Sequence, residues 1–189
     1  MNKIIALDIG GVCLHLRHDL CCRYFGFNGI SAIPQEVFAS IEKFERGLID
    51  EQEWLAKFRQ ATGGRFTDNE MIEGWNLIIG DDIAGMPELM QELIESGYRL
   101  VFFSDTSSSH LLEVYRKLSF ANLVTGGIFS FKTQAKKPNS AMYEVFEAQY
   151  GKPCFYVDDL PDNIQGGIRR GWNSHLFVSA SAMRRALLK

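Results

Sequence analysis

Ile4-Ile5-Ala6-Leu7-Asp8-Ile9-Gly10-Gly11-Val12 is the stretch from which the fold is read. Four apolar residues in unbroken succession suit a strand buried on both faces, since a strand with one wet face would alternate. The run carries a carboxylate to its C-terminal tip and then turns on two glycines. The same pattern returns at Leu100 to Phe103, followed by Ser104-Asp105-Thr106-Ser107, and at Cys154 to Val157, followed by Asp158-Asp159. Further apolar runs lie around Ile128 and Phe129 and from His175 to Val178. Helical stretches separate them, so the expected fold is α/β, a three-layer Rossmann-like arrangement with a parallel sheet between helices.

Between the first and second runs the gap is too long for one crossover helix, and it carries its own helix signals. Val37, Phe38, Ile41 and Phe44 share a helical face. Asp50 and Glu53 have the spacing of a capping box ahead of Trp54, Leu55 and Phe58, and Thr67 and Glu70 repeat it ahead of Met71, Ile72 and Trp75. Pro87 opens a helix with Leu89, Met90, Leu93 and Ile94 inward, and Gly97 closes it. The expected division is a core of residues 1–14 and 84–189 with a helical insert over 15–83.

The chain has 189 residues, 46% of them hydrophobic, enough for one substantial core with an insert. Its 20 basic and 23 acidic residues are interleaved and sum to −3, with no basic stripe for nucleic acid or an anionic membrane. Cys13, Cys21, Cys22 and Cys154 show no paired C-x-x-C spacing, so reduced thiols and a cytoplasmic location are expected. Nothing at the N-terminus reads as a signal peptide or a spanning helix. Oligomeric state is left open.

Open parallel sheets bind ligands at the C-terminal ends of their strands. An aspartate there, Asp8, can attack phosphorus and share a divalent cation with the phosphate; capping a turn is its bland alternative. Ser104 and the amides that follow it from Asp105 suit phosphate oxygens, although Ser107 to Ser109 also suit a helix N-terminus. Lys137, in Lys136-Lys137-Pro138, can neutralise carboxylate and phosphate together. Asp158 and Asp159, with Asp162 one turn on, repel each other unless a hard cation compensates.

In this order, each at a strand end, these pieces resemble the haloacid dehalogenase (HAD) superfamily over Ile4 to about Val178. The resemblance implies Asp8 as nucleophile, Ser104 as phosphate-binding hydroxyl with Asp105 beside it, Lys137 as neutralising lysine, and Asp158 as the main Mg²⁺ ligand with Asp159 and Asp162 in support. It also implies that residues 15–83 are a helical cap. Phe44 to Trp54 and the motifs around Lys137 and Asp158 are similar to the branch holding bacterial alpha-D-glucose-1-phosphate phosphatase and the N-terminal phosphatase of soluble epoxide hydrolase. One departure stands out. Where most HAD phosphatases carry an acid–base aspartate two residues after the nucleophile, this chain has Gly10, whose carbonyl can still reach Mg²⁺. A substrate with a good leaving group, or His15 acting as acid, would compensate.

The expectation is therefore a Mg²⁺-dependent phosphatase for a small phosphorylated metabolite, a sugar phosphate by the resemblance, with Arg46 as a candidate contact to it. A non-catalytic scaffold would explain Gly10, and a metal-free haloacid dehalogenase is weighed against by the adjacent acids.

Overall fold

The computed structural model describes residues 3–188. The chain starts with β1 (Ile4–Leu7), turns at Gly10 and Gly11, and enters the short β2 (Leu14–Leu16). Four helices follow, α1 (His18–Phe25), α2 (Gln35–Glu45), α3 (Glu51–Ala61) and α4 (Asp68–Asn76), before β3 (Ile79–Asp82) returns antiparallel to β2. Helices and strands then alternate through α5 (Met86–Glu95), β4 (Arg99–Ser104), α6 (Ser108–Lys117) and β5 (Val124–Phe129). The one-turn α7 (Ser130–Thr133) and α8 (Ser140–Tyr150) lead to β6 (Phe155–Asp158), α9 (Pro161–Arg169), β7 (Ser174–Leu176) and α10 (Ala180–Leu187).

The main sheet has the order β5-β4-β1-β6-β7, and every neighbouring pair is parallel. β1 lies at its centre, with Ile5 opposite both Leu100 and Phe155. Side chains alternate across a strand, so β1 serves two cores. Ile5 and Leu7 pack with Leu89, Met90 and Leu93 of α5, and with α6 and α10. Ile4 and Ala6 face Met142, Tyr143 and Phe146 of α8 and Ile164 of α9. This is the expected three-layer arrangement, and its double coverage explains why the strand reads as a continuous apolar run. The last strand begins one residue earlier than the apolar run suggested and stops at Leu176, leaving Val178 exposed beyond it.

α1 to α4 enclose a core of their own around Phe25, Phe44, Trp54, Phe58, Met71 and Trp75. Trp54 stacks on Phe44 with ring centroids 5.0 Å apart. The Thr67–Glu70 capping box is complete, and the Asp50 carboxylate accepts from the Glu53 amide. Against the helical-face expectation, Phe38 is 52% exposed while Val37 and Phe44 are buried. α1 and the β2–β3 ribbon have no counterpart in the sequence reading. The ribbon and the α4–α6 contact join this unit to the sheet layers: Trp75 stacks on His110 at 4.2 Å, and His110 Nε2 donates to the Trp75 carbonyl at 3.0 Å. Among the described residues no helix is long and apolar enough to cross a membrane.

Candidate active site

β4, β1 and β6 are adjacent and parallel, so their C-terminal tips lie side by side. Ser104 ends β4, Asp8 directly follows β1, and Asp158 ends β6. All three side chains are buried. The apolar strands behind them explain the convergence: burying the strand fixes where its first polar residue emerges.

Lys137 comes from the loop before α8 and enters this cluster with its side chain 1% exposed. Its Nζ donates to Asp158 Oδ2 at 2.6 Å and to the Phe103 carbonyl at 2.8 Å, and lies 3.0 Å from Asp8 Oδ1. Those acceptors use all three N–H bonds of an ammonium. Burial alone would lower the Lys137 pKa, but the carboxylates of Asp8, Asp158 and Asp105 together outweigh it and hold the group charged.

Asp8 is under the opposite pressure. Burial pushes its carboxyl up from 3.8 to about 7; the nearby Lys137 pulls it down and the Asp158 charge pushes it up again. Its Oδ1 accepts from the Ile9 amide at 2.8 Å as well as facing Lys137. The Ser104 hydroxyl also donates to this carboxylate and opposes the rise.

The two adjacent acids differ sharply. Asp158 is wholly buried, and four donors fill its lone pairs: Lys137 and the Tyr156 hydroxyl, at 2.7 Å, on Oδ2, and the Leu160 amide and Asn163 Nδ2, at 2.9 and 3.0 Å, on Oδ1. Asp159 is half-buried and lines the cavity above the sheet. Burial and the Asp158 charge raise its pKa. Its carboxylate lies directly against Gly11, at φ +69°, so a Cβ at position 11 would collide with it. One oxygen from each of Asp8, Asp158 and Asp159 falls within 4.8 Å of the others. With the Asp158 oxygens already filled by donors, the carboxylate oxygens of Asp8 and Asp159 are the ones in this group that fit a hard divalent cation. Beside it, a Cβ at Gly10 would meet Leu16 Cδ1 at 2.8 Å, so Leu16 fills the space into which a longer residue would project.

Other expected residues are placed differently. The Asp105 carboxylate accepts from the Lys137 backbone amide at 3.0 Å, so it tethers the lysine loop, and a phosphate contact from this residue would have to come from its backbone. Asp162 is exposed on the first turn of α9 and stands outside the carboxylate cluster. His15 is exposed on β2, away from the cavity lining, whereas His18, at the start of α1, lines it. Arg46 donates to the Gln134 carbonyl, at 3.3 Å from Nε and 3.2 Å from Nη2. Sequence reasoning missed Tyr156 and Asn163, which orient Asp158. The i+5 spacing from Asp158 to Asn163, across a helix start, was the available signal. The cysteines are free thiols, with Cys13 Sγ donating to the Asp8 carbonyl at 3.2 Å.

This cluster forms one end of a cavity of about 550 Å³ between the sheet edge and α1, α2 and α4.

No family model matches the chain. It is 24% identical over 155 residues to the flavin mononucleotide hydrolase 1 of Arabidopsis thaliana, a match covering 77% of this chain and 59% of that protein. The chain thus spans less than two thirds of the relative's length. Among solved structures it is similar to a HAD family enzyme from Bacteroides thetaiotaomicron, with a TM-score of 0.84 at 20% identity over 99% of this chain and 98% of that one. The magnesium and inorganic phosphate complex of that enzyme gives a TM-score of 0.79 at 21% identity, covering 95% and 96%. A HAD-like hydrolase from Porphyromonas gingivalis matches with a TM-score of 0.79 at 21% identity over 100% and 99%. With its sheet order, its strand-tip carboxylates and these likenesses together, the chain has the fold of the haloacid dehalogenase family enzymes.

Proposed function

We propose that the chain is a Mg²⁺-dependent phosphatase acting on a small phosphate monoester through Asp8. The observation that carries this reading is the buried cluster of Asp8, Asp158 and Lys137, with Asp159 beside it, opening onto a cavity of about 550 Å³ at the strand tips. Like charges gathered in this way cost stability unless a ligand uses them. The phosphate and magnesium held by the B. thetaiotaomicron enzyme and the phosphate ester named for the Arabidopsis relative point the same way.

Asp8 and Asp159 would hold the cation with the Gly10 carbonyl; Asp158, its lone pairs filled, orients Lys137 instead. When bound, Mg²⁺ offsets the carboxylate and phosphoryl charges and keeps Asp8 ionised. Asp8 Oδ2 then forms an O–P bond in line with the ester bond that breaks, and the departing oxygen takes a proton from solvent. Water attacks the resulting acyl phosphate at phosphorus, releasing inorganic phosphate and restoring the Asp8 carboxylate. Ser104 Oγ, at the tip of β4, positions a phosphoryl oxygen, and Lys137 holds Asp8 Oδ1 so that Oδ2 faces the substrate. Residues 15–83 act as a cap that closes the cavity over the phosphate. Gly10 supplies no side-chain proton, so with basic leaving groups the rate depends on that proton from solvent; the metal-free dehalogenase alternative leaves Asp159 without a task.

The test is phosphate release by purified protein with Mg²⁺, with EDTA and in Asp8→Asn. Turnover that requires Mg²⁺ and disappears in Asp8→Asn supports the reading. Binding of Mg²⁺ without turnover on any ester would favour a non-catalytic scaffold instead.

A further inference from the structure

The cavity has two chemically different ends. Its floor is the carboxylate and lysine cluster, while its cap wall is hydrocarbon. Phe27, Ile30 and Ile33, in the segment between α1 and α2, and Phe38 and Ile41 on α2 all line it. Ile30 is 48% and Phe38 52% exposed, while Phe27, Ile33 and Ile41 are partly buried, packing against the cap core and also bordering the cavity. Apolar side chains left open are ordinary when scattered, but a contiguous set around a concavity marks a binding surface.

Of the polar groups facing this space, His18 at the start of α1 is exposed, and three others are committed within the protein. Glu45 pairs with Lys136 Nζ at 2.7 Å, His110 Nε2 donates to the Trp75 carbonyl, and Thr106 Oγ1 donates to the Ser107 carbonyl. Hydroxyls of a sugar placed against the cap wall would lose water and meet carbon, which is unfavourable for each unpaired group. A hydrocarbon or aromatic group of the same size would cover Phe38 and Ile30 and release their hydration water.

From these observations we infer that the substrate's organic part is apolar: the site takes a phosphate monoester bearing an alkyl chain or a planar aromatic group, bound against Ile30, Ile33 and Phe38, in preference to a sugar phosphate. The inference rests on the phosphatase reading for the phosphate end alone. The same hydrocarbon wall explains why Phe38 departs from the buried helical face on which it was expected.

Two readouts separate the inference from that reading. Metal-loaded protein is assayed on n-alkyl phosphates from ethyl to octyl, naphthyl phosphate, flavin mononucleotide, and glucose 1- and 6-phosphate. In parallel, calorimetry measures the affinity of the corresponding alkylphosphonates, which cannot turn over. The expected kcat/KM rises roughly fourfold per added methylene until the cavity is full, the value that transfer of one CH₂ from water implies. Phosphonate affinity rises in step, and the octyl-to-ethyl ratio falls at least ~10-fold in Phe38→Ser/Ile30→Ser, which removes two such contact surfaces. Both residues are half exposed, so the double variant keeps the packed core intact. Glucose phosphates hydrolysed as well as hexyl phosphate, or affinity independent of chain length, would overturn the inference. Length-dependent phosphonate binding without hydrolysis of any ester would uphold the apolar site while the phosphatase reading failed.

Discussion

Replacing the reactive carboxylate, Asp8→Asn, should stabilise the metal-free protein at alkaline pH. In the folded chain the Asp8 carboxyl titrates at about 7, against 3.8 for an ordinary aspartate, because burial outweighs the attraction of Lys137. Between those values the folded state holds a proton that the unfolded chain has released, so stability falls as pH rises. About three pH units at ~1.4 kcal/mol each give a loss of about 4 kcal/mol by pH 8. Asparagine carries no charge to desolvate, while Lys137 keeps Asp158 as its partner at 2.6 Å. Urea unfolding in EDTA from pH 4 to 8.5 should show a variant whose advantage is small near pH 4 and approaches about 4 kcal/mol above pH 8. Mg²⁺ should then stabilise the parent chain more than the variant. A variant less stable than its parent at pH 8.5, or a difference that does not change with pH, would refute the reasoning.

His110 runs in the other direction: burial lowers its pKa from 6.5 to about 4, so the unfolded chain binds the proton first and stability falls as pH drops through that window, by about 3 kcal/mol. His110→Phe, which can keep the stack on Trp75, should lose most of that acid sensitivity, read as a stability difference between pH 4.5 and pH 7 that shifts by about 3 kcal/mol in favour of pH 4.5 relative to the parent chain. Gly11→Ala should cost about 1 kcal/mol through its φ of +69°. By displacing Asp159 it should also raise the half-saturating Mg²⁺ at least ~10-fold, measured from the metal dependence of phosphate release. Gly10→Asp combined with Leu16→Ala, which clears the space Leu16 occupies, should raise kcat/KM, which reports the phosphorylation step, on alkyl phosphates by up to ~10²-fold and leave kcat/KM on p-nitrophenyl phosphate little changed. Equal effects on both esters would argue against a missing acid.

The parallel sheet was legible because burial on both faces removes alternation, and β1, β4 and β6 therefore stand out as unbroken apolar runs ending in polar residues. α3 and α4 announced themselves through Asp50 and the Thr67–Glu70 box, whose capping is chemical and local. α1 did not, since Arg17 offers no side-chain cap at its start. The β2–β3 ribbon was equally hidden: β2 spans three residues, too few for any period to show, and its partner lies more than sixty residues away in sequence. At the site, the sequence carries the identities of Asp8, Ser104, Lys137 and Asp158, but the distinction between Asp158 and Asp159 is three-dimensional. Neighbours on a strand end point to opposite sides, and only the packing of Tyr156 and Asn163 shows which carboxylate is already saturated. The apolar lining was invisible for a related reason: Phe38 and Ile41 have the spacing of core residues, and a wall around a cavity has the same period as a wall around a core.

The central claim is that Asp8 forms a bond to phosphorus. With Gly10 there is no side chain at that position to activate the attacking water, so the phosphorylated enzyme should accumulate during turnover of p-nitrophenyl phosphate, whose leaving group needs no acid. Metal-loaded protein mixed with this ester, quenched in acid and digested, should yield the Asp8 peptide heavier by one phosphoryl group, with no such peptide from Asp8→Asn or from EDTA-treated protein. Steady phosphate release with the Asp8 peptide unmodified, or undiminished release by Asp8→Asn, would contradict the account.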